Sequence, residues 1–262
     1  MPTLNEFLKY PNGRIKKVPT GISSLDGYIT FDLPTGTGNV SIKPMTGAEE
    51  NILLSRDNRK NPVGAFFDVV KNCTKGLPLE VNPKTKIEDV KWRKVWMDDF
   101  SFILFMIRRL TYGDSFTFSV ECPACGKSYD WEENLDTTEC LYASEELSNN
   151  LSSESPFFSF TMPVSRINMA YRMAVAYDNQ TIFRKKMESR DSLRTEALRM
   201  CVVEFNGSRG FPFIAEWEKL AAADLRFFEQ DMMRNRVGII TTIEPTCDSC
   251  GHTADKIELP IS

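Results

Sequence analysis

Two stretches of one design, Glu121-Cys122-Pro123-Ala124-Cys125-Gly126-Lys127 and Thr246-Cys247-Asp248-Ser249-Cys250-Gly251-His252, decide how this 262-residue chain is read. In each, two thiolates stand on a tight turn with two residues between them, so both reach a single ion. The glycine that follows tolerates positive φ, which lets backbone amides point at the sulfurs. Facing each other, two such knuckles supply a tetrahedral set with Zn–S distances of about 2.3 Å. Cys122, Cys125, Cys247 and Cys250 are therefore read as the ligands of one structural Zn2+ per chain. A redox dithiol would want one pair at a helix start after a central strand, and incidental cysteines would not repeat the spacing. His252, the only histidine, could replace one thiolate but is expected to point outward. Cys73, Cys140 and Cys201 read as unliganded thiols.

Both knuckles sit between extended segments. From Asp114 to Glu121 the period is two, with Phe116, Phe118 and Val120 on one side. Lys127–Asn134 reads as the return strand of a hairpin. Val237–Ile243 leads into the second knuckle, and Thr253–Leu259 is the expected last strand. Because 121 positions lie between Cys125 and Cys247, the intervening chain must be an insertion into a zinc-ribbon module. Its closure is tolerable because loop entropy grows only logarithmically with length.

Helix signals lie on either side. Thr46 and Glu49 form a capping box. Asn61-Pro62 starts a helix to about Lys71, with proline where its missing N–H is harmless. The strongest helix runs from Phe100 to Leu110, with Asp98 and Asp99 at its positive end, Arg108 and Arg109 at its negative end, and Gly113 as the stop. Further helices are expected over Arg166–Asp178, Gln180–Phe205 and Phe213–Asn235, the last broken near Ala221–Asp224. No internal repeat stands out beyond the paired knuckles. The resulting fold class is α+β: a mainly helical body, a turn-rich amino-terminal arm of strands and loops, and the four-Cys ribbon interrupted by a helical insertion. The corresponding segments are an interaction arm (1–45), a helical segment (46–113), the ribbon (114–135 plus 237–262), an acidic linker (136–165) and the helical insertion (166–236).

Charge is uneven. Residues 1–113 carry 17 Lys+Arg against 12 Asp+Glu, and the rest carry 15 against 24. Eight acids and no base occupy 128–165. This acidity around the knuckles argues against nucleic acid as the ligand, because phosphate would be repelled. The longest apolar run, Phe100–Ile107, is far below the roughly 20 residues that span a bilayer, and Met1–Lys9 lacks the pattern of a signal peptide. A protein without a membrane partner, made in a reducing cytoplasm, is expected. Four thiolates leave a metal no open position, one histidine leaves no serine or cysteine triad, and Pro34-Thr-Gly-Thr-Gly38 lacks the lysine and helix of a phosphate loop. Enzymatic turnover and a small-molecule substrate are therefore not expected.

The run Pro44-Met45-Thr46-Gly47-Ala48-Glu49-Glu50, with the helix before Gly113 leading through a strand into Cys-Pro-x-Cys-Gly, resembles the T-even phage baseplate protein family. The resemblance implies a virion component of a contractile tail, assembled in the host cytoplasm and linked to the baseplate hub and its assembly. Its partners would be other baseplate and hub proteins. Pro44, Met45, Thr46 and Glu49 match the signature and become candidate partner-binding residues, although their first task is to cap a helix. Phe66, Phe67, Trp92 and Trp96 read as core or interface anchors. The alternative is a zinc-ribbon adaptor for nucleic acid or the transcription machinery.

Overall fold

The computed structural model describes residues 12–19, 22–23, 26–55, 62–81, 86, 88–178, 182, 193–254 and 257–259. Its centre is the helix Met97–Tyr112, which carries Asp98 and Asp99 in its first turn and ends at Gly113 with φ 84°. Phe100, Phe102, Ile103, Phe105, Met106 and Ile107 along it are all buried. A helix apolar on nearly every side must be wrapped. The helix Pro62–Cys73 supplies Phe67, which stacks on Trp92 at 4.5 Å and meets Phe100 edge-on at 5.0 Å. A four-stranded antiparallel sheet (Ile22–Ser23, Ile29–Asp32, Asn39–Ile42, Thr74–Lys75) adds Phe31, Val40 and Ile42 to the same core.

Thr46 caps the helix Gly47–Leu54 as expected: its hydroxyl accepts from the Ala48 amide, and the Glu49 carboxylate accepts from the Thr46 amide at 2.9 Å. Thr46→Ala should lower stability by about 1 kcal/mol, readable as a shifted denaturation midpoint with an unchanged slope.

The body is not mainly helical, and this corrects the expectation. Among the described residues the strands form six antiparallel sheets. Within the described part of the expected interaction arm (1–45), Gly13–Lys17 pairs with Glu139–Ala143, and Phe31, Val40 and Ile42 lie in the core. The acidic stretch is ordered too. Glu139–Ala143 is the central strand of a three-stranded sheet completed by Gly238–Ile239, with Cys140 and Leu141 buried, and the helix Glu145–Leu151 follows. Where a helix was expected over Arg166–Asp178, Asn168–Tyr171 is a strand. It belongs to a four-stranded sheet of Phe158–Thr161, Asn168–Tyr171, Val202–Phe205 and Ser208–Arg209. The physical reason is a period of two, with Met169 and Tyr171 inward, which outweighs the helix preference of methionine and alanine. Helix survives in this region as Leu193–Cys201, Ile214–Trp217 and Ala222–Arg234. The rest of the expected Gln180–Phe205 helix lies outside the described residues, apart from Ile182 and the strand just named.

Two cores result. The larger surrounds Met97–Tyr112. The smaller gathers Met162, Met169, Tyr171, Val202, Phe205, Trp217 and Phe228. A thin patch of Leu147, Leu151 and Val237 lies between them. Among the described residues, no helix is long and apolar enough to cross a membrane.

Candidate metal centre

The first knuckle tops the hairpin Ser115–Glu121/Ser128–Asn134, whose register runs from Ser115↔Asn134 to Glu121↔Ser128. The turn is closed by the Cys122 amide donating to the Lys127 carbonyl and the Gly126 amide donating to the Cys122 carbonyl, both at 2.9 Å. The second knuckle repeats this. The Cys247 amide donates to the His252 carbonyl at 2.9 Å and the Gly251 amide to the Cys247 carbonyl at 2.8 Å. Gly126 and Gly251 have φ of 69° and 71°. No neighbour would meet a Cβ there, so glycine is needed for the left-handed backbone and not for space.

The base of the hairpin is clamped to the core. Arg109, near the end of the long helix, forks to Asp114 just before the first strand and to Asp136 just after the second. Phe116 stacks on Phe118 at 5.3 Å, and the Arg108 guanidinium lies 4.0 Å from the Phe116 ring. The knuckles are thus carried on a braced ribbon.

The four sulfurs meet. All lie within 4.8 Å of one another, with Cys122 to Cys250 at 3.6 Å and Cys125 to Cys247 at 3.9 Å. A disulfide would need about 2.0 Å, whereas four thiolates at 2.3 Å from one ion stand about 3.8 Å apart on the edges of a tetrahedron. The donor set fits a metal ion. The first cysteine of each knuckle is buried and the second exposed, giving the cluster an approximate two-fold layout. Burial works against the Cys122 thiolate, but the Cys125 and Ala124 amides and the Cys250 and Cys125 thiols outweigh it and bring the thiol down to about 6. At Cys250 the His252 amide favours the thiolate, yet burial and the neighbouring sulfurs push the thiol up to about 12. One proton leaves such a cluster readily and the next with difficulty, which is the behaviour of coupled sites. A cation would remove that repulsion.

His252 is exposed and not among the clustered ligands. Cys73, Cys140 and Cys201 are buried thiols raised by burial to about 11, 12 and 12. Tyr129, on the return strand, was not singled out from sequence. Burial and the charges of Cys247, Cys122, Asp248 and Cys250 raise its phenol, so it stands beside the cluster. The sequence offered no signal for it beyond its place on the expected return strand Lys127–Asn134. The outer face of the ribbon is acidic, with Asp130 held by Ser119 and Glu132 by Ser115.

With this geometry in hand, comparison with known proteins decides the family. The model of the family described as T4 bacteriophage base plate protein matches residues 27–260. The chain belongs to that family. Neither a curated protein nor a solved structure matches it. As a base plate protein it is a structural part of the phage tail, and its contacts are with other baseplate proteins.

The signature residues of this base plate protein have different fates. Glu49 is buried and engaged by Thr46, which lowers its carboxyl below the ordinary range. Pro44 and Thr46 are exposed. The Met45 amide donates to Thr111 Oγ1 at 2.9 Å, and its side chain lines an apolar groove of about 350 Å³ with Leu53, Phe66, Leu104, Arg108 and Arg236. Arg108 Nη1 is buried in the groove wall without a partner among the described residues, and burial lowers its guanidinium. Of the expected anchors, Phe67 and Trp92 are stacked together, Phe66 lines the groove, and Trp96 packs on the patch between the two cores.

Proposed function

We propose that this protein is a non-enzymatic component of the hub or inner baseplate of a contractile tail, that its four cysteines hold one structural Zn2+, and that its activity is protein–protein contact. The closed shell of four sulfurs carries this reading. With every position supplied by the chain, an ion there has no place for water or substrate and serves architecture. Four thiolates on glycine-flanked turns suit zinc or iron, and of the two we assign zinc, which metal analysis tests.

Pro44, Met45 and Thr46 are proposed to border the partner surface, with Glu49 acting only through the cap. The occupant we assign to the Met45 groove is an apolar segment of a neighbouring baseplate subunit that brings a carboxylate. The Arg108 guanidinium lies on the Phe116 ring, but its buried Nη1 has no hydrogen-bond partner among the described residues, and a carboxylate would supply one. Leu54, which follows the groove residue Leu53 on the adjoining helix, is 66% exposed.

The test is assembly. Leu54→Asp and Met45→Asp should retain the wild-type metal content and far-ultraviolet circular dichroism. Each should reduce the amount of chain sedimenting with tail particles at least about tenfold, as expected when a contact worth roughly 1.4 kcal/mol or more is lost. Undiminished incorporation of both variants would remove the groove from the interface. Particles complete without the chain would remove the structural role.

A further inference from the structure

The hairpin of the second lobe repeats the ribbon hairpin forty positions later. Phe118-Ser119-Val120-Glu121-Cys122-Pro123-Ala124-Cys125-Gly126 stands against Phe158-Ser159-Phe160-Thr161-Met162-Pro163-Val164-Ser165-Arg166. The registers coincide pair by pair. Phe118↔Trp131, Ser119↔Asp130, Val120↔Tyr129 and Glu121↔Ser128 correspond to Phe158↔Tyr171, Ser159↔Ala170, Phe160↔Met169 and Thr161↔Asn168. The turns coincide as well. The Met162 amide donates to the Ile167 carbonyl at 2.9 Å and the Arg166 amide to the Met162 carbonyl at 3.2 Å, the same two bonds that close the Cys122 turn. Arg166, at the glycine position, takes φ 60°, a left-handed backbone uncommon for a residue with a Cβ. A Met–Ser pair replaces the thiols, with Ser165 Oγ 3.6 Å from Met162 Sδ. A thioether and a hydroxyl are too weak as donors to hold zinc.

Something else satisfies the turn. In the cysteine knuckle, the Ala124 and Cys125 amides hydrogen-bond the Cys122 sulfur. Their counterparts, Val164 N and Ser165 N, donate to Asp224 at 2.8 and 3.0 Å, one to each carboxylate oxygen. Asp224 is fully buried in the first turn of the helix Ala222–Arg234, one turn before Phe228 of the smaller core. Burial opposes its charge, but those amides outweigh burial and keep the carboxyl below its ordinary range. We infer that residues 158–171 form a metal-free knuckle, a counterpart of 118–131 in which the Asp224 carboxylate takes the place of the metal-bound thiolate and fastens the helix Ala222–Arg234 to the hairpin. The chain then carries two locks of the same geometry and different chemistry, one sensitive to chelators and the other not.

Amide hydrogen exchange on the full-length, metal-loaded protein separates them. In Asp224→Ala, Val164 and Ser165 should exchange at least about tenfold faster, the equivalent of about 1.4 kcal/mol of local stability, with metal content and exchange at Ala124 and Cys125 unchanged. Treating the wild type with a chelator should do the reverse. If Asp224→Ala fails to fold, Asp224→Asn, which keeps one acceptor oxygen, should release mainly one of the two amides. Arg166→Gly supplies an independent arm: Arg166 is exposed, so glycine should relieve the left-handed backbone and raise the melting temperature. Protection of Val164 and Ser165 that survives both Asp224 substitutions, metal loss in those variants, or a lowered melting temperature in Arg166→Gly would each overturn the inference.

Discussion

Cys122→Ser is expected to release the metal and open the ribbon while most of the helical circular dichroism survives. The Cys122 sulfur is buried and 3.6 Å from Cys250, and a serine oxygen supplies neither thiolate charge nor the reach of sulfur. Structural zinc in small modules contributes on the order of 10 kcal/mol or more to folding. The carboxy-terminal part it joins has few strand pairs of its own: Thr242–Ile243 and Ile257–Glu258 are a two-residue pair, and isolated two-stranded hairpins are marginal in water. The helices rest instead on the Phe100–Met106 core and the Phe67–Trp92 stack. Metal analysis under reducing, chelator-free conditions should find about one zinc per wild-type chain and almost none in the variant. A wild type without zinc would defeat the assignment of the ion. Collapse of the helical signal along with the ribbon would show that the metal supports the whole fold.

The knuckles were legible because metal chemistry tolerates few substitutions: two thiols, a fixed gap and a glycine say the same thing at both ends of the chain. The long helix was legible for a similar reason, since Asp98, Asp99 and Gly113 punctuate a run with no competing period. What escaped detection was pairing across distance. Gly13–Lys17 finds its partner at Glu139–Ala143, and nothing local in an acidic, serine-rich stretch announces the central strand of a sheet. Asn168–Tyr171 was hidden by its own residues, because methionine and alanine favour helix in isolation and only burial on alternate positions shows the strand. The metal-free knuckle at Met162–Arg166 was hidden more deeply. The motif read from sequence is a cysteine spacing, and with Met162 and Ser165 at the two positions the turn keeps its bonds but shows no such motif. The charge asymmetry forecast an acidic ribbon correctly, yet gave no hint that one buried nitrogen of Arg108 would lack a hydrogen-bond acceptor among the described residues.

Phe228→Ala should lower the stability of the smaller core by about 3–5 kcal/mol and leave the larger one nearly untouched. Phe228 is fully buried, with ring centroids 5.1 Å from Tyr171, 5.9 Å from Trp217 and 6.0 Å from Phe160. Truncation therefore removes the hub of an aromatic cluster and leaves a cavity. The junction between the cores is thin by comparison. Two backbone bonds, Met97 N to the Ala174 carbonyl at 2.9 Å and Ala176 N to the Val95 carbonyl at 2.8 Å, accompany the small patch of Leu147, Leu151 and Val237. Arg172, forked to Asp178 at 2.7 and 2.9 Å, braces it from one side. Such a junction holds less apolar surface than either core, so heating should give two transitions, with Phe228→Ala shifting one by on the order of 15 °C. Phe102→Ala, in the larger core beside Phe31, should shift the other. Calorimetry read together with the Trp217 and Trp92 environments separates the cases. A single transition lowered equally for both probes would mean that the bridge through Trp96 and Val175 couples the cores more strongly than its buried surface suggests, and that the cysteine and carboxylate knuckles act on one cooperative body.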